Sequence, residues 1–118
     1  VDFMTPLKKS SKEISRYDWI GIWRYLMNFN SDGHFNLNKD VVIDFEKMAL
    51  HILVLEKSAR KRGYRINKVI LETNLKDEIF ACKYGSELIK SGIYFVRNLP
   101  PRINALHDDH YHIDFVKQ

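Results

Sequence analysis

From His110 to Phe115 polar and apolar side chains alternate without a break: His110, His112 and Asp114 against Tyr111, Ile113 and Phe115. Successive side chains of a β-strand point to opposite faces, so the pattern commits this stretch to a half-buried strand. One face, aromatic and aliphatic, must find a core. The other carries two imidazoles and a carboxylate side by side. Just upstream, Leu99-Pro100-Pro101 forbids both helix and ladder hydrogen bonding, so the strand starts after a rigid break.

The rest of the chain supplies what such a strand can pack against. Asp44 opens the clearest helix, with Phe45, Met48, Ala49, Ile52 and Leu53 at i, i+3, i+4, i+7 and i+8, and Leu55 and Ala59 continuing the stripe. Acids lie in its first turn, bases in its last, and Gly63 can take the left-handed position beyond its end. Asp18 can cap an earlier helix carrying Trp19, Trp23, Leu26 and Met27. Val1 to Met4 reads as a strand end, Pro6 to Arg16 as a polar loop, Asn28 to Lys39 as a turn-rich loop, and Val41 to Ile43 as a short strand. Ile66 to Leu71 reads as a strand, followed by a short helix capped by Asn74 that ends near Gly85. A further helical turn spans Glu87 to Lys90, before the apolar segment Ile93 to Val96. Strands and helices in this order predict an α+β fold, a small antiparallel sheet packed against about three helices.

At 118 residues the chain reads as a single domain, 1–118, large enough to bury about two-thirds of its unfolded surface. Net charge is +4, drawn largely from Lys8-Lys9-Lys12 and from Lys57, Arg60, Lys61 and Arg62; solvated faces are the plain reading of both clusters. One cysteine, Cys82, excludes an internal disulfide and a cysteine-rich zinc cage, and its neighbours Ile79 and Phe80 predict a buried, inert thiol. No stretch approaches eighteen apolar residues, so no transmembrane segment is expected. The chain opens on Val1 without methionine and reads as cut from something longer, so the lack of a leader says nothing about location.

Chemistry concentrates at the C-terminal end. His107-Asp108-Asp109-His110-Tyr111-His112-Ile113-Asp114 gathers three of the five histidines with three carboxylates. Imidazole is the commonest transition-metal ligand and the commonest acid–base group near neutral pH. Crowding ionisable groups away from water costs several kcal/mol unless solvent or a cation is present. A metal-dependent hydrolytic site is the reading that follows, with a solvated polar edge as the bland alternative. A catalytic zinc takes about three protein ligands plus water, so His110 and His112 need a third group from elsewhere in the chain. His51, just off the apolar stripe of the long helix, reads as structural, and Asp32-Gly33-His34 as a turn with an incidental histidine.

The segment Leu106-His107-Asp108-Asp109-His110-Tyr111-His112-Ile113 resembles the C-terminal zinc motif of the penicillin-insensitive murein endopeptidases, roughly His-x-x-His-x-His followed by an apolar strand. Those enzymes share a fold group with lysostaphin-type peptidases, D-alanyl-D-alanine metallopeptidases and the zinc domain of hedgehog proteins. Val1-Asp2-Phe3 resembles the tail of the family's other motif, Ser-His-x-x-Gly-x-Asp-Val-Asp-φ, with Asp2 as its last aspartate. Between them, Asp44 to Leu55 and Lys68 to Ile79 look like the intervening helix, strand and helix. The likeness spans nearly the whole chain and is specific at its two ends.

The resemblance implies a hedgehog/D-Ala-D-Ala-peptidase-like fold, with the chain as the C-terminal portion of a zinc metallopeptidase domain. Asp2 and His112 would be zinc ligands. His110 would stand beside the metal, orienting water or stabilising the oxyanion, and His107 or Asp109 would be the proton acceptor. The family's third ligand, a histidine of the first motif, would precede Val1, so these 118 residues alone would hold an incomplete ligand set. Asp114 departs from the family, whose murein endopeptidases commonly carry arginine there. The implied reaction is zinc-assisted hydrolysis of a peptide cross-link in bacterial peptidoglycan, by a periplasmic or secreted enzyme with no nucleic-acid partner.

Two rival readings use the same residues. His110-Tyr111-His112 loosely matches the His-hydrophobe-His triplet of metal-dependent enzymes that nick single-stranded DNA, with Tyr17, Tyr25 or Tyr64 as the nucleophile. A non-catalytic zinc-fold module that binds peptidoglycan or a protein is the other.

Overall fold

The structure of the chain, a computed structural model, describes residues 1–9, 12–14, 41–96 and 110–118. Along them run β1 (Asp2–Met4), β2 (Leu7–Lys9), β3 (Lys12–Ile14), β4 (Val41–Ile43), α1 (Phe45–Lys61), β5 (Tyr64–Ile70), α2 (Thr73–Ala81), α3 (Gly85–Ser91) and β6 (His110–Lys117). The alternating C-terminal stretch is the middle strand of an antiparallel sheet ordered β1-β6-β5, and a second antiparallel sheet is ordered β3-β2-β4. Phe95 extends the first sheet through a parallel bridge to Val69. The fold is therefore α+β, small antiparallel sheets with three helices among the described residues. None of those helices is long and apolar enough to cross a membrane.

Helix α1 forms where its stripe and caps predict. The Asp44 carboxylate accepts the Lys47 N–H at 3.1 Å, satisfying a donor that the first turn leaves without a partner. At the other end Gly63 adopts φ 80°, a conformation that costs any residue with a Cβ. Met48, Ala49 and Ile52 are buried against Val69 and Ile66 of β5, Tyr111 and Ile113 of β6, and the apolar faces of α2 and α3. Burying each large aliphatic side chain contributes about 1.5–3 kcal/mol, which makes this layer the main source of stability.

A register shift between Ile66 and Lys68 adjusts β5 to that core. Ile66 and Val69 are three residues apart, so a regular strand would point them to opposite faces. The irregularity inserts one residue and both become buried, at 3% and 0% exposure, while Lys68 stays on the outer face opposite Asp114. The Ile66 N–H is satisfied by a side chain: Glu56 Oε2 accepts it at 2.7 Å, and Oε1 accepts Arg60 Nε one helical turn on. Glu56 thus ties α1 to the irregular point of β5 from a buried position on the helix stripe. Glu56→Ala is expected to destabilise the protein by about 1–3 kcal/mol, because a buried N–H loses its acceptor. Glu56→Gln, which keeps an acceptor oxygen, should cost less than half of that. Urea denaturation of the two variants checks the ordering, and equal losses would show that only the charge matters.

The structure corrects several expectations. Pro6 to Arg16 is not simply a loop. Leu7 to Lys9 pairs with both Lys12 to Ile14 and Val41 to Ile43, because backbone pairing and the buried Leu7 outweigh the polarity of the lysines. On α1 the stripe closes on Glu56 at the position opposite β5, while Leu55 and Ala59 are only half-buried. The helix expected from Asn74 starts at Thr73 with Glu72 in the cap position. It ends at Ala81, and α3 is a separate element from Gly85 rather than a single turn. Phe115, assigned to the core face, is 37% exposed near the end of β6. Cys82 is half-buried, with its thiol directed at the Phe45 carbonyl. The Asp18 helix, the Asn28 to Lys39 loop and the Leu99-Pro100-Pro101 break lie outside the described residues.

Candidate functional site

The two ends of the chain meet on β6. Strand β1 is paired so that Asp2 faces His112, Phe3 faces Tyr111 and Met4 faces His110. The Val1 ammonium donates to the Ile113 carbonyl, and the Ile113 N–H donates to the Val1 carbonyl, each at 2.8 Å. The inner face fixes this register. Phe3 stacks on Tyr111 with ring centroids 5.7 Å apart and meets His51 edge-on at 4.7 Å. His51 Nδ1 lies 2.6 Å from the Tyr111 hydroxyl. Burial pushes the His51 pKa down and the Tyr111 pKa up, so both are neutral and the phenol donates to the imidazole. Sliding β1 by one residue would break that cluster and turn Asp2 away from His112.

The outer face carries a line of charged groups. His112 Nδ1 is 2.6 Å from Asp2 Oδ1, and its Nε2 is 2.6 Å from Asp114 Oδ1. Lys68 Nζ of β5 stands 3.4 Å from the other Asp114 oxygen. Four side chains from three strands thus form one chain, Asp2–His112–Asp114–Lys68, with the imidazole bracketed by carboxylates. The half-buried His110 shares the face of β6 with His112, two residues away. The hydrogen bond from His112 is the main reason that both carboxyls fall below the usual carboxylate range. His110 adds to the effect at Asp2 and Lys68 at Asp114.

A pH dependence follows. Both aspartates titrate below the ordinary carboxylate range in the folded protein, so their ionised form stabilises the fold. That contribution is present above the unfolded carboxylate range and is lost as pH falls through the lowered values. The metal-free protein is expected to lose stability modestly below about pH 4, because solvent screens both half-exposed carboxylates, and an Asp2→Asn, Asp114→Asn double variant should show a shallower acid limb. Unfolding midpoints between about pH 6 and pH 3 measure the difference, and superimposable limbs would refute the assignment.

Of the residues singled out in the sequence, the structure brings Asp2, His110 and His112 to one face. His107 and Asp109 lie outside the described residues, as do His34, Tyr17 and Tyr25. Tyr64 pairs with Lys117, five residues along β6 from His112, or about 17 Å at strand rise, which removes it from this site. Reading the sequence missed Lys68, whose part depends on the β5 register.

Asp2 and His112 bring one oxygen and one nitrogen donor, types that zinc binds, to one position. Tetrahedral zinc holds nitrogen and carboxylate-oxygen ligands about 3.4 Å apart, so the 2.6 Å pair need open by only about 0.8 Å. The Asp2 side chain is 52% exposed. Asp2, His112 and Asp114 form a line rather than converge, and among the described residues no group of three or more His, Cys, Asp or Glu is arranged to hold a metal. Fold and site together define an α+β protein with a carboxylate–imidazole–carboxylate line on the outer face of its main sheet. Compared with protein-family models, curated proteins and solved structures, the chain matches none.

Proposed function

We propose that this chain is part of a zinc metallopeptidase of the murein endopeptidase type, hydrolysing peptide cross-links of bacterial peptidoglycan in the periplasm or outside the cell. The observation that carries the reading is the direct pairing of Asp2 with His112, residues 110 positions apart that the family resemblance independently names as ligands of one zinc. Asp2 contributes a carboxylate oxygen and His112 an imidazole nitrogen, the donor types that zinc favours. When bound, zinc supplies Lewis acidity and lowers the pKa of a coordinated water to about 7. His110 provides a second imidazole on the same face to orient the water or the scissile carbonyl. His107 or Asp109 serves as proton acceptor and returns the proton to the leaving amine. The family resemblance calls for one further histidine to complete the ligand set.

The test is zinc-dependent release of muropeptides from cross-linked murein by the full-length protein. Activity that a chelator removes and zinc restores supports the reading. A reading frame without Ser-His-x-x-Gly ahead of Val1, or murein left intact under all metal conditions, overturns it.

A further inference from the structure

We propose that the far edge of the main sheet, at Phe95, takes an extended segment of a partner protein as an added strand, whose large apolar side chain fills the cleft between α2 and α3. The inference is independent of the zinc reading, because the Phe95 edge lies across the sheet from β1 and Asp2.

Phe95 joins the sheet through a parallel bridge. The Val69 N–H donates to the Tyr94 carbonyl at 2.8 Å, and the Val96 N–H donates to the Val69 carbonyl at 3.0 Å. Backbone groups of successive strand residues point alternately to either side. With Tyr94 and Val96 turned toward β5, the N–H and C=O of Phe95 face outward, and among the described residues neither makes a hydrogen bond. Unpaired backbone groups on a sheet edge are a template for another strand.

The ground beside this edge is apolar. A cleft of about 500 Å³ opens there, lined at its base by the buried Leu88 and by Phe80 and Phe95, whose rings meet edge-on at 5.0 Å. Ile89 and Tyr94 on its walls are 66% and 52% exposed. Among its lining residues only Lys76 and Asp77 carry charge, one of each sign, and Lys76 Nζ donates to the Val96 carbonyl at 2.7 Å. Such a lining suits a neutral apolar group, and the outward backbone pair of Phe95 suits a peptide. A residue paired opposite Phe95 directs its side chain to the same face as the Phe95 ring, the helix side, and so into the cleft. Main-chain hydrogen bonds then supply affinity while the cleft selects the side chain. A second copy of this chain fits less well. Its own Phe95 is 6% exposed and packed on its own Phe80, so two paired edges would bring no side chain to fill either cleft.

Fluorescence anisotropy with the full-length protein tests this. The probes are a dye-labelled threonine peptide with a single central leucine, its central-alanine form, and a form N-methylated at the leucine and both neighbours. Expected is saturable binding of the leucine peptide, weakened about 10-fold by alanine and at least about 3-fold by N-methylation. Hydrogen exchange at the Phe95 amide should slow in the complex. Ile89→Glu, at an exposed position, should weaken binding about 10-fold by setting a charge in the cleft, whereas Val54→Glu on the exposed face of α1 should leave it unchanged. No saturable binding, or equal binding of the leucine and alanine peptides, overturns the proposal. Equal binding of the N-methylated form, or an unchanged Phe95 amide, overturns the added strand. A protein that sediments as a dimer, binds no peptide and becomes monomeric with Ile89→Glu assigns the edge to a second copy instead. The peptide comparisons use wild type alone, so they decide even if a variant fails to fold.

Discussion

Under the proposed zinc-peptidase function, replacing His112 by alanine is expected to lower zinc affinity by more than about 100-fold and to abolish zinc-dependent muropeptide release, while leaving the protein folded. The size of the effect follows from position. Loss of a group that merely hydrogen-bonds a ligand costs about 10- to 100-fold, so loss of the ligand itself must cost more. The fold should survive because His112 points to the outer face, with its side chain 29% exposed, and its neighbours Tyr111 and Ile113 carry the core contacts. Two hydrogen bonds to partly exposed carboxylates are lost, worth about 1–2 kcal/mol together after solvent screening. Circular dichroism and thermal unfolding separate the two consequences. A variant that binds zinc like wild type would remove His112 from the ligand set, and one that unfolds would show that the outer face is structural.

Gly85→Ala should destabilise the protein strongly for a change of one methyl group. A Cβ at Gly85 would stand 1.8 Å from the Phe80 carbonyl oxygen and 2.4 Å from its carbon. These are backbone atoms at the end of α2, so no side chain can swing aside. Either α2 or α3 must move, and they carry Ile79 and Leu88, both buried in the core. Overpacking relieved only by backbone displacement costs about 1–3 kcal/mol, occasionally more. Urea midpoints should fall accordingly, whereas zinc affinity below the transition should hold, because Asp2 and His112 lie on the β1–β6 pair. A loss under about 1 kcal/mol would mean that the α2–α3 corner yields easily.

The legibility of the chain varied with how local each determinant is. Helix α1 was plain because its stripe, its Asp44 cap and its Gly63 terminus all lie within one element. Strand β6 was plain for Tyr111, His112 and Ile113, since alternation is a property of neighbouring residues. The same alternation misplaced Phe115, because burial at a strand's end depends on what covers it. The lysine-rich β2 was hidden because its partners, Lys12 to Ile14 and Val41 to Ile43, rather than its own residues, make it a strand. Glu56 was hidden for a related reason: a carboxylate on an apolar stripe makes sense only once the Ile66 N–H is seen beside it.

The candidate site divides the same way. The local pattern singled out His110 and His112, and the family resemblance proposed Asp2 beside them. Residue order also fixed the α+β class and the two faces of β6, since helix and strand periodicity are short-range steric properties of the backbone. Tertiary structure alone decided that Asp2 touches His112, that Asp114 and Lys68 close the line behind it, and that Tyr64 stands apart. Those facts depend on strand register, and register is set by long-range packing, here Phe3 against Tyr111 and His51 and the irregular step at Ile66, which no stretch of sequence carries by itself.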